Sequence, residues 1–153
     1  MKQSLESQTD VPDLDKFRLR VFAEQLLEAG EVEVIEEPID LIDVAKVLDG
    51  HPKAVLFQKV GPEQAELFGN VMGSRTRLAA AFGVQPAQLA NEMIQRMTNP
   101  KSTIEISSEN APVHDMILTG DSADFTKLPV HLQHEMDGGP YISAGIDFAV
   151  DPE

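Results

Sequence analysis

The chain has 153 residues, of which 42% are hydrophobic, and this suffices for one packed domain or for one domain plus the first strands of a second. Its formal net charge of −14 argues against nucleic-acid and anionic-membrane partners, because so acidic a surface repels phosphates. It has no cysteine, which excludes disulfides and thiolate chemistry within the chain. No apolar run reaches the roughly 20 residues of a membrane span, and residues 1–12 lack a signal-peptide core. We expect a cytoplasmic protein.

The first hundred residues alternate helical and strand patterns, which is typical of an α/β domain. Asp13 is placed to cap the first helix and Gly30 to end it, while Ser74 and Gly83 have the same roles around a later helix. The predicted elements are a helix over residues 13–29, a strand over 31–36, a helix over 40–48, strands over 54–60 and 67–72, and helices over 74–82 and 86–98. A disordered lead-in is predicted for residues 1–12.

The pattern changes after residue 100, where strand signals replace helical ones. Strands are predicted over residues 103–106, 113–118 and 141–150. The predicted fold class is therefore an α/β (α+β) N-terminal domain over residues 13–105, followed by the first strands of a β-unit over residues 106–153.

The last predicted helix carries an apolar stripe. It consists of Leu89, Met93, Ile94 and Met97, which recur at helical spacing. A methionine-rich cofactor site is one interpretation, but we expect these side chains to pack in the core.

A cluster of metal-ligand residue types lies at His131, His134, Glu135 and Asp137. Two imidazoles and two carboxylates so close in sequence can ligate a divalent metal. The histidines are three apart in a predicted loop, however, whereas the helical zinc-protease motif spaces them four apart. We expect a solvated or interface loop, with a metal-binding module as the weaker alternative.

Two further pairs of charged residues are candidate ligand-binding residues. Arg75 and Arg77 stand in the first turn of a predicted helix, where guanidinium and free N–H groups can clamp a phosphate or carboxylate. The helix dipole disfavours cations at that end, so pairing with acids is expected instead. Asp121 and Asp124 could suggest calcium, but the other ligands of an EF-hand are missing. We expect these aspartates to cap backbone N–H groups in a turn.

Residues 137–141 read Asp-Gly-Gly-Pro-Tyr, which predicts a tight turn. Spacing alone does not separate a plain turn from one beside a site. The chain has no phosphate-binding Gly-Lys-Ser/Thr motif and no dinucleotide glycine pattern. The residues by themselves therefore leave the reaction open.

Taken together, these segments resemble one family, the UbiD-type decarboxylases. Residues 17–40 are similar to its opening helix, Gly-Glu turn, strand and Pro-Ile-Asp step, and residues 73–83 to its Ser-Arg-x-Arg helix. The remaining similarities are the apolar strand Ala54-Val-Leu-Phe57, Ala111-Pro-Val-His114, Thr119-Gly-Asp-Ser-Ala-Asp-Phe125, Leu128-Pro129 and Glu135-Met-Asp-Gly-Gly-Pro-Tyr-Ile-Ser143. The resemblance extends over residues 14–153.

The resemblance implies an enzyme that removes or adds carboxylate on aromatic, heteroaromatic or unsaturated acids. It implies prenylated FMN as cofactor, with Mn²⁺ and K⁺, in a homo-oligomer whose β-unit is a flavin-reductase-like barrel. Only Ser143 falls where some relatives place a hydroxyl near the flavin. By the resemblance Arg75 and Arg77 are structural. The family's metal ligands and catalytic residues lie beyond Glu153, so none is assigned here.

We therefore expect the N-terminal portion of such a decarboxylase, inactive and without bound cofactor on its own. The alternative is a stand-alone, non-catalytic accessory or interaction subunit of a decarboxylase complex, suggested by the natural-looking start and the high acidity. The coding sequence beyond Glu153 distinguishes the two.

Overall fold

The computed structural model describes residues 18–101, 103 and 106–142, which form a mixed α/β fold. In chain order the helices and strands are α1 (Leu19–Glu28), β1 (Val32–Ile35), α2 (Val44–Leu48), β2 (Ala54–Val60), β3 (Ala65–Gly69), α3 (Arg75–Phe82) and α4 (Leu89–Thr98). Short 3-10 turns lie at Pro86–Gln88, Ser108–Asn110, Pro112–His114, Gly120–Ser122 and Phe125–Lys127. The predicted succession of elements up to residue 98 is confirmed, with shifts at some ends. Every helix in these ranges is too short or too polar to traverse a bilayer.

The three strands form one sheet in the order β1-β2-β3. β1 and β2 are parallel, which requires a crossover, and the segment containing α2 provides it. β2 and β3 are antiparallel and joined by a tight turn in which Gly61 has φ +65°. The apolar β2 therefore lies between two neighbours, as its predicted burial requires.

The core lies where α2 packs against one face of the sheet. Phe57 and Val55 of β2 share that face because strand side chains alternate, and both are 0% exposed. Val44 of α2 and Val60 complete the fully buried cluster. The partly buried hydrophobic residues packed around it are Ile35, Ile39, Leu41, Val47, Leu48 and Leu67.

Two predicted helix starts differ from the observed ones. Helix α1 begins at Leu19 because Arg18 is extended, and the predicted cap Asp13 lies outside the described residues. Asp40 does not cap α2. Its carboxylate accepts the Ile42 N–H at 3.2 Å, which closes a turn, and the helix begins only at Val44.

The predicted caps of α3 are confirmed. The Ser74 hydroxyl accepts the backbone N–H of Arg77 at 3.0 Å, and Gly83 takes the left-handed conformation with φ +71°. Gly30 ends α1 in the same way. The strand predicted over residues 67–72 is instead β3, which ends at Gly69 because Asn70 turns the chain with φ +54°.

The strand predicted over residues 113–118 is wrong. Val113 belongs to a 3-10 turn, and residues 115–118 have no strand partner within the described part of the chain. A single segment without a neighbour leaves its backbone groups unpaired and does not form a strand. Residues 103, 106, 141 and 142 are likewise outside strands, and the rest of those two predicted strands lies outside the described residues.

The apolar stripe of α4 is mostly exposed, so its predicted core packing is wrong except at Leu89. Leu89 is 3% exposed, whereas Met93, Ile94 and Met97 are 39%, 59% and 78% exposed. The helix packs on α3 and on the preceding 3-10 turn, but among its residues only Leu89 is buried there.

Replacing Phe57 by Ala should lower the free energy of unfolding by about 3–5 kcal/mol, because it leaves a cavity between α2 and the sheet. The matched control is Phe125→Ala, whose ring is 71% exposed, and its effect should stay within about 0.5 kcal/mol. Urea unfolding followed by circular dichroism measures both. Equal effects of the two substitutions would contradict this core.

Candidate functional site

The buried guanidinium of Arg77 is the best-defined polar site in the described residues. Its side chain is 1% exposed, at the start of α3. Nη1 donates to the Glu31 carboxylate at 3.2 Å and to the Pro52 carbonyl at 2.9 Å. Nε and Nη2 donate to the carbonyls of Val71 and Asn70, both at 3.2 Å. Four of its five N–H donors are thus used within the fold, so Arg77 is paired with an acid, as expected, and does not clamp a ligand.

Asn70, directly after β3, connects the loop before β2 to Arg77. Its side-chain amide donates to the carbonyls of His51 and Lys53, each at 2.8 Å, while its own carbonyl accepts from Arg77. The left-handed conformation of Asn70 is one that asparagine adopts more readily than most residues. The sequence analysis missed this residue. An asparagine directly after an apolar strand was the available signal.

Arg75 is exposed and holds α3 to the turn before α4. Its Nε donates to the Pro86 carbonyl at 3.0 Å. A second link comes from Arg96 of α4, which donates to the Phe82 carbonyl at 2.9 Å and stacks on the Phe82 ring at 4.7 Å. These contacts give Arg75 a structural role, in agreement with the family resemblance.

The predicted cluster at residues 131–137 does not assemble as a metal site. The carboxylate of Asp137 accepts the backbone N–H of His134 at 2.9 Å, and the ring Nδ1 of His134 lies 3.8 Å from the same oxygen. His134 is 81% exposed. Among the described residues no three histidine, aspartate or glutamate side chains converge closely enough to hold a metal ion. The segment is instead a loop closed by the Asp137 carboxylate.

The same loop lies across an open groove from α2. The groove has a volume of about 470 Å³. Its walls are formed by Ile42, Ala45, Lys46, Leu48 and Asp49 on one side and by His131, Leu132, Gln133, His134 and Glu135 on the other. Burial lowers the pKa of His131. The Lys46 ammonium bonds the Asp43 carboxylate at 2.9 Å, which raises the pKa of Lys46.

The aspartate pair at residues 121 and 124 lies in turns. Asp124 Oδ1 accepts the backbone N–H and the hydroxyl of Thr126, at 3.0 and 2.6 Å, and these bonds lower the pKa of Asp124. The predicted capping is confirmed for Asp124. Asp121 lies in the preceding 3-10 turn, Gly120–Ser122, and its side chain caps no N–H group within the described part of the chain.

Ser143, the single cofactor-binding candidate, lies outside the described residues. Its upstream turn at residues 137–141 is described. There Gly138 and Gly139 have open space around the position of a side chain. Neither glycine is needed for close packing within the described residues, and the choice between a plain turn and one beside a site stays a prediction.

Comparison with known protein families identifies the class of the chain. Residues 23–97 match the 3-octaprenyl-4-hydroxybenzoate carboxy-lyase N-terminal domain, and residues 104–153 match the Rift-related domain of the same carboxy-lyase. The two matched stretches follow one another along the chain. The chain therefore belongs to the UbiD family, and the resemblance inferred from the motifs is confirmed.

Individual relatives agree with this family. The chain is 23% identical over 125 residues to the anhydromevalonate phosphate decarboxylase of Methanothermobacter thermautotrophicus, covering 80% of this chain and 28% of the relative. It is 27% identical over 128 residues to the enzyme of that name from Methanosarcina mazei, covering 83% and 29%. The chain thus spans less than a third of the length of these relatives.

A solved structure has the same fold. It is an evolved dimeric form of the UbiD-class enzyme HmfF from Pelotomaculum thermopropionicum in complex with prFMN. The TM-score is 0.74 at 23% identity, and the match covers 82% of this chain and 30% of that one. The arrangement of helices and strands described above is therefore that of a UbiD-class enzyme over the matched region.

Replacing Arg77 by Met should destabilise the fold by about 3 kcal/mol, because it leaves Glu31 and three carbonyls without their donor. The control Arg75→Met removes an exposed contact and should cost less than about 1 kcal/mol. Thermal unfolding of both variants measures the difference. A stable Arg77→Met variant would refute the structural role.

Replacing Thr126 by Ala should raise the pKa of Asp124 toward its ordinary value, because the hydroxyl bond to the carboxylate is lost. In the native chain the pKa is depressed, so the turn at Phe125–Lys127 is stabilised above about pH 3.9 and loosens as pH falls through the folded pKa. Thr126→Ser keeps a hydroxyl and should preserve the low value. Carboxyl-detected NMR titration measures the pKa, and equal values in the two variants would contradict the assignment.

Proposed function

We propose that this chain is the N-terminal portion of a UbiD-type decarboxylase that acts on a carboxylic acid with prenylated FMN. The observation that carries the proposal is the pair of carboxy-lyase domain matches, in order, over residues 23–97 and 104–153. The decarboxylases among the relatives support the reaction class, and the prFMN complex of the UbiD-class neighbour supports the cofactor.

The substrate is an aromatic, heteroaromatic or unsaturated acid. The relatives named anhydromevalonate phosphate decarboxylase make anhydromevalonate phosphate the first compound to test. Nothing in the described residues selects a substrate, because the buried guanidinium of Arg77 is used by the fold and Arg75 holds a backbone carbonyl.

The proposal places the cofactor site outside residues 18–101. Among the described residues no three histidine, aspartate or glutamate side chains converge, so the proposal places no Mn²⁺ site there. The first turn of α3, the place best suited to a phosphate by sequence, is taken up by contacts of Arg77 to carbonyls and Glu31. Prenylated FMN would supply the electron sink for decarboxylation. Residues 18–101 form an N-terminal domain that supports the cofactor-binding domain.

The segment at residues 106–142 is then the start of the flavin-binding barrel. Most of its large apolar side chains are exposed, among them Val113, Met116, Ile117 and Phe125, all more than 60% exposed. Such a surface in one segment calls for a partner surface. In the proposed enzyme this partner is the remainder of the barrel domain, and the domain boundary lies near residue 105.

The assembled enzyme is cytoplasmic and a homo-oligomer, with the small-molecule acid as substrate and no nucleic acid or membrane partner. The formal net charge of −14 disfavours nucleic-acid and anionic-membrane partners. Sedimentation of the full-length enzyme tests the oligomeric state.

The test compares the 153-residue chain with the protein read from the coding sequence on both sides of it, each expressed with a supply of prenylated FMN. The longer protein should carry stoichiometric prenylated FMN by absorbance and mass spectrometry and release carbon dioxide from one of the candidate acids. The 153-residue chain should do neither. A flavin-free, inactive longer protein contradicts the decarboxylase proposal, and a stop codon at 153 favours the accessory subunit instead.

Ser143 is tested in the same longer protein. Ser143→Ala should lower the flavin occupancy if the hydroxyl contacts the cofactor. The matched control is Ser107→Ala, an exposed serine of the same domain match. Equal occupancy in both variants would remove Ser143 from the cofactor site.

A further inference from the structure

One stretch of the segment at residues 106–142 differs from the rest in its burial. Most of the segment is exposed, whereas residues 129–133 are all half-buried, which is the longest such run among its described residues. Three of these five residues, His131, Leu132 and Gln133, line the groove beside α2. Through this stretch, the segment at residues 106–142 (the late segment) approaches the N-terminal domain.

The side of the groove formed by α2 and its flanking residues carries both apolar and charged side chains. Ile42, Ala45 and Leu48 supply apolar surface opposite Leu132. Ala45, Leu48 and Leu132 are half-buried, whereas Ile42 is 57% exposed, so the apolar surface removed from water comes from the first three, and its removal favours docking of the segment. Leu48 also packs against the core cluster. A displacement of the late segment would thus uncover the outer face of a helix that builds the core.

His131 is the one residue of this half-buried run that titrates near neutral pH. The charged or titratable groups that share its groove are Lys46 of α2, Asp49 directly after α2, and His134 and Glu135 from its own loop. The Lys46 ammonium opposes a charge on the His131 ring, while the Asp49 and Glu135 carboxylates favour it. Desolvation within the groove decides the direction, because it is what lowers the pKa of His131.

We propose that residues 129–135 form a pH-sensitive clasp, which docks the late segment on α2 while the His131 imidazole is neutral and releases it when the ring is protonated. The partner surface is the outer face of α2 in the same chain. The clasp sets the position of the second domain match relative to the first, a role separate from the proposed decarboxylation.

The pH dependence has a definite sign. A histidine whose pKa is lowered in the docked state favours docking when both states are neutral, above the undocked pKa of about 6.5. As pH falls below that value, the released state binds the proton first and gains population. Each unit of difference between the two pKa values changes the ratio of docked to released molecules about tenfold.

The experiment uses a spin label on the 153-residue chain, which has no cysteine of its own. Met136 is 89% exposed and follows the clasp, so Met136→Cys carries the label without disturbing the groove. Paramagnetic broadening of the amide signals of Val44–Leu48 reports docking. It should be strong at pH about 7.5 and weaken at pH about 5.5, on either side of the histidine range. The amides of Ala54–Val60 should stay dispersed at both values, which shows that the sheet is folded.

Two variants separate the clasp from general acid effects. With His131→Gln, which stays neutral, the broadening should persist at both pH values. With His134→Gln, whose parent ring is 81% exposed, the pH dependence should remain. Broadening in the native chain that does not change with pH, or a pH dependence that survives His131→Gln, would overturn the proposal. So would a His131 pKa at or above its ordinary value in an NMR titration of the unlabelled chain.

Discussion

The fold depends on one buried interaction, the guanidinium of Arg77 in α3. It reaches the residue before β1 through Glu31, the loop before β2 through Pro52, and the chain after β3 through Asn70. A planar cation with five donors can satisfy several carbonyls at once, which a lysine cannot do. One side chain thus ties α3 to all three strands, while Phe57 and its neighbours hold α2 on the sheet. The fold therefore has two separate buried centres, the polar contacts of Arg77 and the apolar cluster around Phe57.

Local rules predicted most of the first hundred residues. The caps of α3 and the buried strand β2 follow from single residues and short-range pattern, and they appear where expected. The predictions failed where an element depends on contacts with residues distant in the sequence. Residues 113–118 have the composition of a strand but no strand beside them in the described part, and the stripe of α4 has the spacing of a core face but little to cover it. The site was less predictable than the fold, since the role of Arg77 is set by carbonyls that only the tertiary structure brings together.

Family membership accounts for the exposed apolar side chains of α4 and of residues 106–142. The chain matches two carboxy-lyase domains but spans less than a third of its relatives' length. Apolar side chains such as Met97 and Met116, 78% exposed here, are what a domain presents to further protein. Residues 129–133 are the exception, because all five are half-buried within the chain. In the proposed enzyme, the N-terminal domain would therefore act as a scaffold for chemistry performed elsewhere.

The central claim is that residues 18–101 shape and support the decarboxylase without touching its cofactor. A crystal structure of the complete protein with prenylated FMN bound tests this most directly. We expect every flavin contact to come from outside those residues, with Arg77 still bonded to Glu31 and the carbonyls around it. A flavin phosphate seated on Arg75 or Arg77 would contradict the claim.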